Sequence, residues 1–203
     1  MSVSRKAVCC AAGALGLAAG GAHAAPLTMV NVGAPAINCV FDPSCKVVAT
    51  DSIGRIPNSA PTSLGRLQSR TWAGAPGAPA HGLTAYVYRV DLTSVAGSAP
   101  PLCVSGYRIA LGPMATLPYA RGRPPGQVFV VTSGSLGSIA PTAADLTGTT
   151  LTFTFATPVC AGQTSVFFGV AARNPPVATD ADIRLVRGGQ SGWTNVDARS
   201  PNP

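Results

Sequence analysis

Glutamate is absent from this 203-residue chain, and lysine occurs twice. All seven acidic groups are aspartates. Without Glu and Lys the long-stemmed helix formers are scarce, which argues against a helical bundle or a coiled coil. The same gap narrows the chemistry. A glycosidase-type pair of carboxyls would have to come from Asp42, Asp51, Asp91, Asp145, Asp180, Asp182 and Asp197. Asp91, beside Arg89 in an alternating segment, reads as a surface charge.

Histidine is almost as rare. His23 lies in the N-terminal leader described below, which leaves His81, in the loop AGAPGAPAHG. Four-coordinate zinc sites need several imidazole or thiolate ligands, and the C-x2-C spacing of zinc knuckles does not occur. The redox C-x-x-C pair is missing too. A hydrolase triad would have to use His81 as its base. The nearest approaches to a nucleophile elbow, Gly134-Ser135-Leu136-Gly137 and Gly189-Gln190-Ser191-Gly192, have the wrong spacing.

Long apolar runs are missing except near the start. There, Arg5 and Lys6 precede AVCCAAGALGLAAGG and Ala22-His23-Ala24. Basic, apolar, then small residues at −3 and −1 predict a secretory signal peptide over residues 1–24. The run is too short and too rich in Gly and Ala for a membrane anchor. After cleavage no transmembrane segment is expected, and the destination is secreted or periplasmic. Twelve basic residues then face seven Asp, a net charge of +5, and eleven of the twelve are Arg. They are scattered. The densest spots, Arg121 with Arg123 and Arg184 with Arg187, form no basic stripe, so no nucleic-acid partner is expected.

Cys9 and Cys10 depart with the leader; Cys39, Cys45, Cys103 and Cys160 remain. In an oxidising compartment an even set predicts disulfides. Four cysteines permit three connectivities. The preferred one closes a short turn on Asp42-Pro43 with Cys39–Cys45, leaving Cys103–Cys160.

What the chain does contain is short Val-, Thr- and aromatic-rich segments between Gly/Pro breakers. Leu27–Val32, Ile37–Phe41 and Lys46–Thr50 come first, the last two expected as a hairpin. Arg66–Trp72 reads as an edge strand. In Leu83–Thr93, Tyr86, Tyr88, Val90 and Leu92 share one face, with Arg89 and Asp91 on the wet one. Leu102–Leu111, Gln127–Thr132, Thr149–Thr157, Ser165–Ala172 and Asp182–Arg187 follow. Pro141–Leu146 suggests one helical turn. The pattern predicts an all-β fold: an antiparallel β-sandwich of nine or ten short strands, stapled by disulfides. It spans residues 25–187 as a single domain, with 188–203 a flexible tail. The immunoglobulin signature is absent, since Pro101 and Pro158 stand two residues before Cys103 and Cys160.

No reaction motif emerges. The expected role is non-catalytic, in binding or as a structural component of the cell envelope or extracellular space. A glycan or another envelope protein is the expected partner, and no cofactor is expected. A carbohydrate-binding module is the alternative, with Trp72, Tyr119 and Trp193 as loop aromatics that could offer flat platforms. A hydrolase using His81 is the other. Asp180 and Asp182, placed in a loop, are the candidates for a calcium ion.

Overall fold

The computed structural model describes residues 24–57, 65–95, 99–134 and 137–201. Apart from Ala24, the predicted signal peptide lies outside the described residues. Two six-stranded sheets pack face to face. The first runs β1 (Ala25–Pro26), β8 (Ala143–Thr147), β9 (Thr150–Cys160), β6 (Cys103–Ala110), β11 (Pro176–Arg187), β12 (Gln190–Pro201). The second runs β2 (Met29–Gly33), β7 (Val128–Ser133), β10 (Phe168–Ala172), β5 (Thr84–Asp91), β4 (Gly65–Ala73), β3 (Thr50–Ile56). One short helix, α1 (Ala36–Phe41), joins β2 to the segment leading into β3. Neighbouring strands are antiparallel except β2 and β7, which are parallel. The expected all-β sandwich is thus present.

Alternation builds the space between the sheets. Leu151, Phe153 and Phe155 of β9 point inward, as do Tyr107 and Ile109 of β6 and Tyr86, Tyr88 and Val90 of β5. Phe168 of β10 is the hub. Its ring lies 4.6 Å from Phe153, 5.7 Å from Phe155, 6.0 Å from Tyr107 and 6.2 Å from Tyr88, centroid to centroid. Buried tyrosines need somewhere to put a hydroxyl. Tyr88 donates to the Arg199 carbonyl of β12 at 2.8 Å, and Tyr86 to the Asn174 carbonyl. A bulge between Val104 and Gly106 resets the phase of β6, so that Val104 joins the core as well as Tyr107.

Both disulfides form as preferred, Cys39–Cys45 and Cys103–Cys160. Cys103 and Cys160 stand directly opposite each other on β6 and β9, so the longer bridge lies within one sheet.

The two ends of the described chain seal the sides of the sandwich. The first pairs with β8 through β1, then crosses at Thr28 to pair with β7 through β2. The second is β12, which turns out of β11 at Gly188-Gly189 and pairs with it along twelve residues. Both glycines have positive φ, 58° and 81°, the requirement of a two-residue hairpin turn. Residues 190–201 are therefore a strand where a flexible tail is expected. Val196 and Ala198 are buried in the core, which is what holds the segment. β12 then lies close along β3: a Cβ on Gly54 would land on the Asp197 carbonyl oxygen and 2.7 Å from a Val196 methyl. Gly54→Val is expected to force β3 away from β12 at a cost of about 1–3 kcal/mol. A thermal melt of the purified variant unchanged from the parent would contradict that packing.

Other local expectations change. Ile37–Phe41 is helical, because Ile37, Val40 and Phe41 recur at i, i+3 and i+4 and all three are buried on one side. Lys46–Ala49 has no regular structure, so the Cys39–Cys45 bridge ties a helix to the turn after it rather than closing a hairpin. In that turn, Asp42 Oδ1 accepts from the Ser44 amide at 2.7 Å and from its hydroxyl at 2.6 Å. These bonds hold the Asp42 carboxyl below its ordinary pKa. Pro141–Leu146 supplies β8 instead of a helical turn, and β4 is an interior strand between β3 and β5, not an edge.

Candidate functional site: an apolar cleft on the outer face of the second sheet

The second sheet buries both of its faces. On the outer one, Val30 and Val32 of β2, Phe129 and Val131 of β7, Val87 of β5 and Trp72 of β4 form a second apolar cluster. Helix α1 covers part of it through Ile37, Val40 and Phe41. Phe41 meets Trp72 edge-on at 5.8 Å and Phe129 at 6.2 Å. Tyr119, brought in by the segment after β6, packs on Phe129 at 4.9 Å. Burial pushes the Tyr119 phenol well above its usual pKa, so it stays neutral.

This cover is incomplete. Between α1, the Val47–Ala49 stretch and the sheet, a cleft of about 370 Å³ remains. Its apolar lining includes Ile37, Val87, Phe129, Val131 and Phe167, and its polar lining includes Asn38, Arg70 and Trp72. Arg70 is half-exposed. Its Nε bonds Asp51 Oδ1 at 2.7 Å, while Asp51 Oδ2 accepts from Gln68 at 3.1 Å. Both carboxylate oxygens are thereby engaged, and the terminal nitrogens of Arg70 hold no partner among the described residues. The Arg70 guanidinium lies 5.3 Å from the Phe167 ring centre, and that of Arg89 lies 5.0 Å away. Arg89 is in turn 3.6 Å from Asp91. Partial burial works to raise the Asp91 pKa, but hydrogen bonds from Thr93 and the charges of Arg89 and Arg66 outweigh it, leaving a net lowering.

The decisive atom is Trp72 Nε1. The side chain is 9% exposed, and the indole N–H, itself buried, has no hydrogen-bond partner. An unmet buried donor costs roughly 1–3 kcal/mol. It is a polar group of the kind that orients a ligand in an otherwise apolar pocket.

The residues singled out from sequence are dispersed. Trp72 lines the cleft, but as a buried wall and not a loop platform. Tyr119 is 1% exposed, closed off beneath the same layer. Trp193 alone of the three is open, at 38% exposure, and lies on the far sheet. Its ring is 4.4 Å from the Arg108 guanidinium, which bonds Asp182 at 2.7 Å, and Asn195 donates to the same carboxylate at 2.7 Å. Gly106 gives the indole room, since a Cβ there would stand 3.2 Å from its ring. Asp180 and Asp182 sit in strand β11 and not in a loop. Asp182 is committed to Arg108, Asp180 opposes Asp197, and the described residues hold no cluster of three or more metal-ligating side chains. His81 is exposed in a turn, and its imidazole makes no hydrogen bond or ion pair among the described residues. The sequence reading missed Arg70, Phe129, Val131 and Phe167. No protein-family model matches the chain, and no curated protein or solved structure shows significant similarity to it.

Proposed function

We propose that this chain is a non-catalytic binding protein of the periplasm or extracellular space that takes up a small, largely apolar ligand on the outer face of the second sheet. The observation that carries the reading is an open apolar cleft beside a buried indole N–H with no acceptor. The compartment is supported by the leader-like N-terminus, by two disulfides, and by the lack, among the described residues, of a helix long and apolar enough to cross a membrane. Nile red, an uncharged apolar dye, tests the cleft. It is expected to bind the native protein saturably with blue-shifted emission. Ala49→Phe, which fills the cleft from a partly exposed position, is expected to abolish this without lowering the melting temperature. Undiminished dye binding by that variant would remove the cleft as the site.

A carbohydrate-binding role has one specific support, the open Trp193 ring flanked by Arg108, Asp182 and Asn195. Aromatic faces stack on sugar rings while such polar neighbours take hydroxyls. Trp193→Ala is expected to reduce retention on polysaccharide affinity gels at least tenfold if this surface binds glycan. Equal migration of both proteins on every gel would end that reading.

A further inference from the structure

The polar lining of the cleft says more about the ligand than its apolar lining does. Two of its lining residues carry donors that the described residues leave unsatisfied. Trp72 Nε1 is buried with no acceptor, and an indole nitrogen can only donate. Arg70 uses its Nε on Asp51 and keeps its terminal nitrogens, which suit the two oxygens of a carboxylate. The nearest acid, Asp51, has one oxygen on Arg70 and the other on Gln68. A second guanidinium, Arg89, stands on the other contact of the Phe167 ring that borders the cleft. Donors outnumber acceptors, and the local cations are held in place over an aromatic floor.

Size sets a second limit. The cleft is open on one side, so at ~30 Å³ for each water-sized group its 370 Å³ shelters roughly a dozen non-hydrogen atoms, and a larger molecule projects from its mouth. A sugar of that size would bring many hydroxyls to walls made of Ile37, Val87, Phe129 and Val131, which offer them nothing.

We infer that the cleft takes a small amphiphile with one anionic head, of the class of medium-chain carboxylates. Its chain lies against Phe129, Val131 and Ile37, and its carboxylate accepts from Trp72 Nε1 and Arg70. This rests on the binding function proposed above and adds the sign and number of the polar groups.

Decanoate and decyltrimethylammonium share an apolar chain and differ in the sign of the head, which makes them the probes. The chain has two tryptophans, so ¹⁵N-labelled full-length protein gives two indole N–H resonances, and Trp193→Phe assigns them. Decanoate is expected to move the Trp72 resonance downfield in a saturable, one-to-one titration. Arg70→Gln, at a half-exposed position that leaves the core intact, is expected to weaken decanoate at least tenfold. Decyltrimethylammonium is expected to leave the Trp72 resonance in place. If the ammonium moves it as far as decanoate does, or if Arg70→Gln binds decanoate as well as the parent, the anionic head is wrong and the apolar cleft stands. If neither probe moves the Trp72 resonance and Nile red does not bind, the cleft reading falls with it.

Discussion

Phe168→Ala is expected to be the most damaging single substitution in the chain, lowering stability by about 3–5 kcal/mol. The ring is fully buried and makes ring–ring contacts with Tyr88, Tyr107, Phe153 and Phe155, which come from three strands of the two sheets. Truncation leaves a hole bounded by β5 and by the β6–β9 pair. These strands are fixed by their ladders and cannot close in on it. The lost aromatic contacts add to the lost transfer free energy. For a domain of ordinary stability this is a large share of the total. Urea unfolding followed by far-ultraviolet circular dichroism measures it directly. Phe168→Leu, which refills part of the volume, is expected to recover much of the loss. A Phe168→Ala midpoint within error of the parent would mean that the aromatic cluster is not the centre of the fold.

Removing the Cys103–Cys160 bridge by Cys103→Ser with Cys160→Ser is expected to cost about 4 kcal/mol, against about 2 kcal/mol for the Cys39–Cys45 pair. The difference follows from loop length. The first bridge closes 57 residues and the second 6, so the first removes more freedom from the unfolded chain. The roles differ as well. Cys103 and Cys160 fasten neighbouring strands of the first sheet, next to the bulge that resets β6. Cys39 and Cys45 fasten α1 to its turn over the cleft. The long-bridge variant is therefore expected to melt earlier as a whole. The short-bridge variant is expected to lose Nile red binding disproportionately to its modest drop in melting temperature. Denaturant titrations of both double variants, with dye binding measured alongside, separate the two. Greater destabilisation by the short bridge would overturn the ordering.

The sandwich and its staples were legible because their signals are local. Alternation in Thr149–Thr157 and Leu83–Thr93 gave strands facing one core, and four cysteines behind a leader-like segment gave two bridges. What escaped depended on distant partners. Arg89 and Asp91 suggested a wet outer face for β5, yet Ala85 and Val87 on that face are buried in the cluster that α1, far earlier in the chain, helps to cover. Nothing in the strand itself announces that cover. α1 carried its own clue, the spacing of Ile37, Val40 and Phe41, but Ile, Val and Phe are strand formers and the segment is too short for composition to decide. β12 was written in small residues, Val196 and Ala198, so its alternation is faint. The Gly188-Gly189 pair between two extended runs was the usable hairpin signal. The cleft was the least legible feature. Trp72 could be named as a candidate, and Arg70, two residues before it on β4, shares its face by the strand period; Phe167 joins them only through the pairing of β4 with β5 and of β5 with β10.

Neither covalent cross-link joins one sheet to the other. A pulling force that peels the two layers apart would therefore meet side-chain contacts and hydrogen bonds, among them that of the Tyr88 hydroxyl on Arg199. A force that shears β6 from β9 would meet a sulfur–sulfur bond. Resistance to load would therefore differ with its direction. Which of these it faces would depend on the points at which a partner or a surface takes hold.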